Sequence, residues 1–151
     1  FQRKLWVLQR WSWGALAAVL AFGAVGGFGR GPLSWAEARD ESGRLRVAYE
    51  RFGRMDSADR IELRGRPDAD GRLRLRVGDG LLEDYEVSGL EAYRGEAQVE
   101  GEGVVYVVQG VPDDPAVTLR LELRPLAPGR ARIEVGLAGE GLLRLSQFVY
   151  P

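Results

Sequence analysis

The chain contains no cysteine and no histidine. The first absence excludes disulfides, thiolate metal sites and cysteine nucleophiles, so any folded domain must be held by packing and hydrogen bonds alone. The second removes the usual base of a hydrolase triad. Asparagine is absent as well, and lysine occurs once, at Lys4. Acids are missing from the first 35 residues, which hold Arg3, Lys4, Arg10 and Arg30. All 22 acidic residues lie from Glu37 onward, against 17 basic ones. A nucleic-acid binder needs a positive surface to displace phosphate counterions, and this balance is the opposite, so no nucleic-acid partner is expected.

Charge is lacking altogether from residues 11–29, WSWGALAAVLAFGAVGGFG. A core helix in a soluble domain shows an apolar stripe and a polar face, whereas Gly14 to Phe28 offer no polar face at all. Nineteen helical residues rise roughly 28 Å, close to the thickness of a bilayer's hydrocarbon layer. Trp11 and Trp13 stand at one end and Trp35 beyond the other, as for rings seated at headgroup level. The run is longer than a secretory signal core, and Arg30 precedes the small residues Ser34 and Ala36 that a signal peptidase would read. A retained anchor is therefore expected. Arg3, Lys4 and Arg10 before the span place the amino end in the cytoplasm of a bacterial inner membrane and the larger part in the periplasm or outside the cell. Gly23 and Gly27 have the G-x-x-x-G spacing that lets a second helix approach closely.

Beyond residue 44 the pattern becomes period two. Leu45, Val47 and Tyr49 alternate with Arg44, Arg46 and Glu50; Leu73, Leu75 and Val77 with Arg72, Arg74 and Arg76; Leu119, Leu121 and Leu123 with Arg120, Glu122 and Arg124. Such alternation turns one face of each strand inward and the other to water. Residues 104–109, VVYVVQ, are apolar on both faces and read as a central strand. Turn strings separate the runs: PDADG at 67–71, GDG at 78–80, PDDP at 112–115 and PG at 128–129. The expected fold class is mainly β: an N-terminal transmembrane helix followed by an immunoglobulin-like or fibronectin-like β-sandwich of seven to nine strands. The expected organisation is a cytoplasmic flank and span over residues 1–29, a tether over 30–43 and an extracytoplasmic domain over 44–151.

This layout of basic amino end, single span, GPLS segment, all-β domain and closing SQFVYP resembles small bacterial single-pass membrane proteins with an exported β-domain. The resemblance extends to those that accompany YetF-like membrane proteins. It implies a membrane-protein partner and assigns no site residues.

Chemistry-bearing patterns are few. Asp84 and Glu86 would share a strand face about 7 Å apart, but every strand carries charges outward and a solvated face explains them. Asp68-Ala69-Asp70-Gly71 opens like a calcium loop, yet position twelve is Asp79 rather than glutamate, and a tight turn is the better reading. Asp113 and Asp114 read as a polar loop, and no P-loop string exists. No catalytic, cofactor or metal residues are expected. If residues 60–66 and 72–76 pair as a hairpin, Arg60, Arg64, Arg66, Arg72, Arg74 and Arg76 crowd its outer face. Arg72, Arg74 and Arg76 are then a candidate partner surface, unless Glu83, Asp84 and Glu86 neutralise them. Phe148 and Tyr150 are expected to point away from a core formed by Leu143 and Leu145, as a second candidate surface. The expected function is non-catalytic: an accessory or assembly subunit of a membrane protein complex, its partners the bilayer and another membrane protein or a second copy. The alternative is an exported or tethered binding module for cell-wall glycan or anionic lipid.

Overall fold

The computed structural model describes residues 2–24, 34–91, 95–99, 101, 103–110 and 116–151. Helix α1 (Gln2–Ala24) is followed by β1 (Trp35–Arg39), β2 (Leu45–Glu50), β3 (Phe52–Arg54), β4 (Asp59–Gly65) and β5 (Arg72–Gly78). A short helix α2 (Asp79–Asp84) leads into β6 (Tyr85–Glu91), β7 (Gly95–Val99), β8 (Gly103–Gln109), β9 (Val117–Pro125), β10 (Gly129–Leu137) and β11 (Leu143–Tyr150). The strands form two sheets, a five-stranded one in the order β1-β2-β4-β9-β6 and a six-stranded one in the order β3-β11-β10-β5-β8-β7. Neighbours are antiparallel except β11 and β3, which run parallel.

Alternation does what period two dictates. Leu45, Val47, Ile61, Leu63, Leu119 and Leu121 of one sheet meet Leu73, Leu75, Val77, Ile133 and Val135 of the other in a single buried core. Each such side chain, when fully buried, contributes roughly 1.5–3 kcal/mol relative to exposure. The chain is thus mainly β, a β-sandwich, as its patterning predicts.

Four findings depart from the sequence reading. Residues 66–71 carry the chain from one sheet to the other, so β4 and β5 are not a hairpin: β4 pairs with β2 and β9, and β5 with β10 and β8. Close packing across the sandwich shows why, since a Cβ on Gly65 would lie 2.7 Å from Leu73 Cδ1. Leu73 sits on top of Gly65, not beside it. Second, part of the segment expected as a tether is β1, an edge strand antiparallel to β2 from Trp35↔Glu50 to Arg39↔Arg46. Third, the expected turn at 78–80 opens α2, which buries Leu81 in the core. Fourth, the strands described number eleven. The apolar-on-both-faces strand β8 does lie inside its sheet, between β5 and β7.

Among the described residues, no helix is long and apolar enough to cross a membrane. Helix α1 begins in the basic flank and includes Arg10 in its middle. The charge-free run continues past Ala24 into residues 25–29, which lie outside the described residues, as does Gly27 of the G-x-x-x-G pair.

Candidate functional site

Strand direction gives the sandwich two unlike poles. At the proximal pole β1 begins, β2 and β9 end, β10 begins and β11 ends. Trp35 is 53% exposed there, Leu126 54% and Phe148 46%. Phe148 and Tyr150 meet edge to face with centroids 5.1 Å apart, and Phe52 stacks on Tyr150 at 6.1 Å. Phe148 stands opposite Phe52 because β3 lies parallel to β11. The inward residues of β11 are Leu143, Leu145, Gln147 and Val149, so Phe148 and Tyr150 point outward as expected.

Beneath this pole lies a polar tie inside the core. The Tyr85 hydroxyl donates to Gln147 Oε1 at 2.6 Å, and Gln147 Nε2 donates to the Glu50 carbonyl at 2.9 Å. Tyr85 is 2% and Gln147 3% exposed. Burial pushes the Tyr85 hydroxyl well above the ordinary phenol pKa, and the charges of Asp59 and Asp84 push the same way. The tie has no nucleophile or base poised for chemistry; it joins β6 of one sheet to β11 of the other.

At the distal pole, residues sit where no sequence pattern grouped them. Arg39, Arg46 and Arg64 are successive cross-strand neighbours on β1, β2 and β4, and Thr118 of β9 completes the row. With Arg44 and Arg66 they line an open pocket of about 340 Å³, together with Gly43, Gly65 and Ala116. Glu37 pairs with Arg46 at 3.2 Å. Arg44 pairs with Asp68 and, at 3.1 Å, with Glu140. The Asp68 hydrogen bond foremost holds the Arg44 guanidinium above its ordinary pKa. Both R-x-R pairs, Arg44/Arg46 and Arg64/Arg66, were visible as alternation; that they converge is a property of the β2–β4 register.

The candidate surface of Arg72, Arg74 and Arg76 lies on β5 in the other sheet. Arg74 is held by Asp68 at 2.9 Å and by Asp70 at 2.5 Å. The neutralising acids are therefore those of the preceding turn, and Glu83 and Asp84 instead take Arg132, at 2.6 and 3.1 Å. Arg76 is half-buried with its Nε unpartnered, and Arg72 is exposed. Asp84 and Glu86 do not converge, since Asp84 ends α2 and Glu86 stands opposite Arg124. The turn at 67–71 closes with Gly71 at φ +74°, its N–H donating to the Asp68 carbonyl at 2.9 Å. Asp70 Oδ1 accepts the Arg72 N–H at 3.1 Å, which completes the tight turn. Asp113 and Asp114 lie outside the described residues. No group of three or more acids that could hold a metal occurs among the described residues.

Every described side chain of α1 is exposed or, at Gly23, half-buried. Trp6, Trp11 and Trp13 are 62%, 76% and 65% exposed, and the Arg10 guanidinium lies over the Trp6 ring at 5.1 Å.

No family model matches the chain, and no curated protein matches it. Among solved structures, the cohesin module of a family 33 glycoside hydrolase from Clostridium perfringens is similar at a TM-score of 0.46 and 12% identity. That likeness covers 70% of this chain and 95% of the module.

Proposed function

We propose that the chain is a single-pass protein of a bacterial inner membrane, with its amino end cytoplasmic and its β-sandwich in the periplasm or outside the cell. In this reading the residues from α1 through 29 form the anchor. The sandwich, immunoglobulin-like or fibronectin-like in kind, is a non-catalytic accessory or assembly subunit of a membrane protein complex. The observation that supports it is that the apolar side chains of α1 are exposed all round, while the sandwich closes a full core from its own strands. Water is a poor solvent for such a helix; lipid is a good one. The exposed ring of Trp35 and the Phe148–Tyr150 pair stand at the pole where the domain begins, suited to a headgroup layer or to the flank of a partner.

The test is alkaline carbonate extraction of membranes, followed by co-purification in mild detergent. The chain is expected to stay in the pellet after carbonate and to bring down a multi-span partner. Release by carbonate sinks the anchor; retention with a lone monomer in detergent sinks the accessory role. The second reading, a tethered module for cell-wall glycan or anionic lipid, is favoured by the arginine pocket.

A further inference from the structure

The outer face of the five-stranded sheet keeps charges complementary in two rows and abandons the rule in the third. Arg60 stands opposite Glu122 and pairs with it at 2.9 Å. Glu62 stands opposite Arg120, 3.6 Å away. One step further toward the distal pole, Arg64 stands between Arg46 and Thr118, and Arg46 stands beside Arg39. Neighbouring strands are only about 4.8 Å apart, so these are like charges abreast, an arrangement that destabilises a sheet.

The acids within reach neutralise only part of the group. Glu37 serves Arg46, while Asp68 and Glu140 serve Arg44. Arg39, Arg64 and Arg66 have no ion pair among the described residues and are exposed around a pocket of about 340 Å³. Three uncompensated guanidiniums converging on one concavity ask for more than one negative charge. A single carboxylate satisfies one guanidinium fork and leaves two. A phosphate monoester carries roughly −1.5 to −2 at neutral pH and offers three strong acceptor oxygens.

We propose that this pocket is a binding site for a phosphate monoester or oligophosphate group, clamped by Arg39, Arg64 and Arg66. The proposal rests on the sandwich alone and stands whether or not α1 crosses a membrane. The source of the phosphate is a soluble ester or a lipid headgroup, and the chemistry of the clamp is the same for both.

The experiment is calorimetric titration of the full chain, in zwitterionic detergent, with sodium tripolyphosphate. Saturable one-to-one binding is expected. The double variant R39S/R64S weakens it at least tenfold, roughly the loss of one charge-assisted contact. The variant R72S, on the other sheet, stays within twofold of the parent. R39S/R64S removes like-charge repulsion, so its thermal midpoint does not fall, which separates lost binding from lost folding. Competition by short-chain phosphatidic acid points to a headgroup; competition by glycerol phosphate alone points to a soluble ester, and either supports the site. Absence of saturable binding overturns the proposal, as does equal affinity in R39S/R64S. Tighter binding of hexaglutamate through the same arginines also overturns it and reassigns the pocket to an acidic protein segment.

Discussion

Replacing Tyr85 by phenylalanine removes one oxygen atom and exposes how the two sheets are tied. The hydroxyl is the donor to Gln147 Oε1 at 2.6 Å, in a region where Tyr85 is 2% exposed. Tyr85→Phe keeps the ring's packing, so the loss is that of the hydrogen bond plus the desolvation of an amide oxygen left without its donor. A buried bond contributes about 0.5–1.5 kcal/mol and an orphaned buried acceptor costs about 1–3 kcal/mol, so a destabilisation of about 2 kcal/mol is expected. For a domain of this size that lowers the thermal midpoint by roughly 8 °C, at ~4 °C per kcal/mol. Gln147→Leu should cost more, because it also strips the Glu50 carbonyl of the amide donor 2.9 Å away. In the double variant Tyr85→Phe/Gln147→Leu the hydroxyl and its amide partner disappear together, so its loss should be smaller than the sum of the single losses by about 1 kcal/mol. Equilibrium denaturant unfolding, followed by tryptophan fluorescence and circular dichroism, measures all four proteins. A Tyr85→Phe loss below about 0.3 kcal/mol, or strict additivity in the cycle, would refute the tie as a coupled element. The same tyrosine sets an alkaline limit. Its folded pKa is raised above the unfolded value of 10.0, so the stability it brings is fully present below that pH and declines as pH rises past it. Tyr85→Phe should flatten this alkaline decline.

Further expectations concern the remaining features of the sandwich. Gly53→Ala would set a Cβ 2.1 Å from Asp59 Oδ2 and 3.0 Å from the Gln147 amide, and should cost about 1–3 kcal/mol by overpacking, read from the denaturant midpoint. Arg64→Glu places an acid opposite Arg46 and should raise stability by about 0.2–1 kcal/mol in low salt, an increment that shrinks in high salt. Arg132→Ala should change stability by less than about 1 kcal/mol despite two ion pairs, because its side chain is 55% exposed; a larger loss would show that the α2–β10 contact depends on it.

What sequence could convey follows from what each element must bury. Strands such as β2, β5 and β9 alternate Leu or Val with charge because one face meets the core, and that pattern reads directly. Strand β1 escapes notice because its inward residues are Ala36 and Ala38, too small to signal burial, on an edge that needs little apolar area. Strand β7, GEAQV, has a single β-branched residue for the same reason. Helix α2 hides in a string that also makes a good turn, since Gly78 and Gly80 both sit against Glu134, where no Cβ fits. The outward aim of Phe148 and Tyr150 was legible because it needs only parity along one strand. The arginine row was not, because it depends on which strands become neighbours. Alternation fixes the face of a residue and is silent on the partner beside it. The hairpin expected from residues 60–76 failed on that point: six residues between strands suit a return within one sheet and a crossing between two equally well.

Strand β3 is held in its sheet solely by the residues around Phe148 to Tyr150, nearly a hundred positions later in the chain. Its edge therefore stays open through most of synthesis or export, and the sheet closes only once β11 arrives. Folding of the sandwich is in this sense a late event, timed by the emergence of one distant strand, and a ribosome or translocon paused before that strand would hold out an unsealed sheet to any chaperone or neighbouring chain.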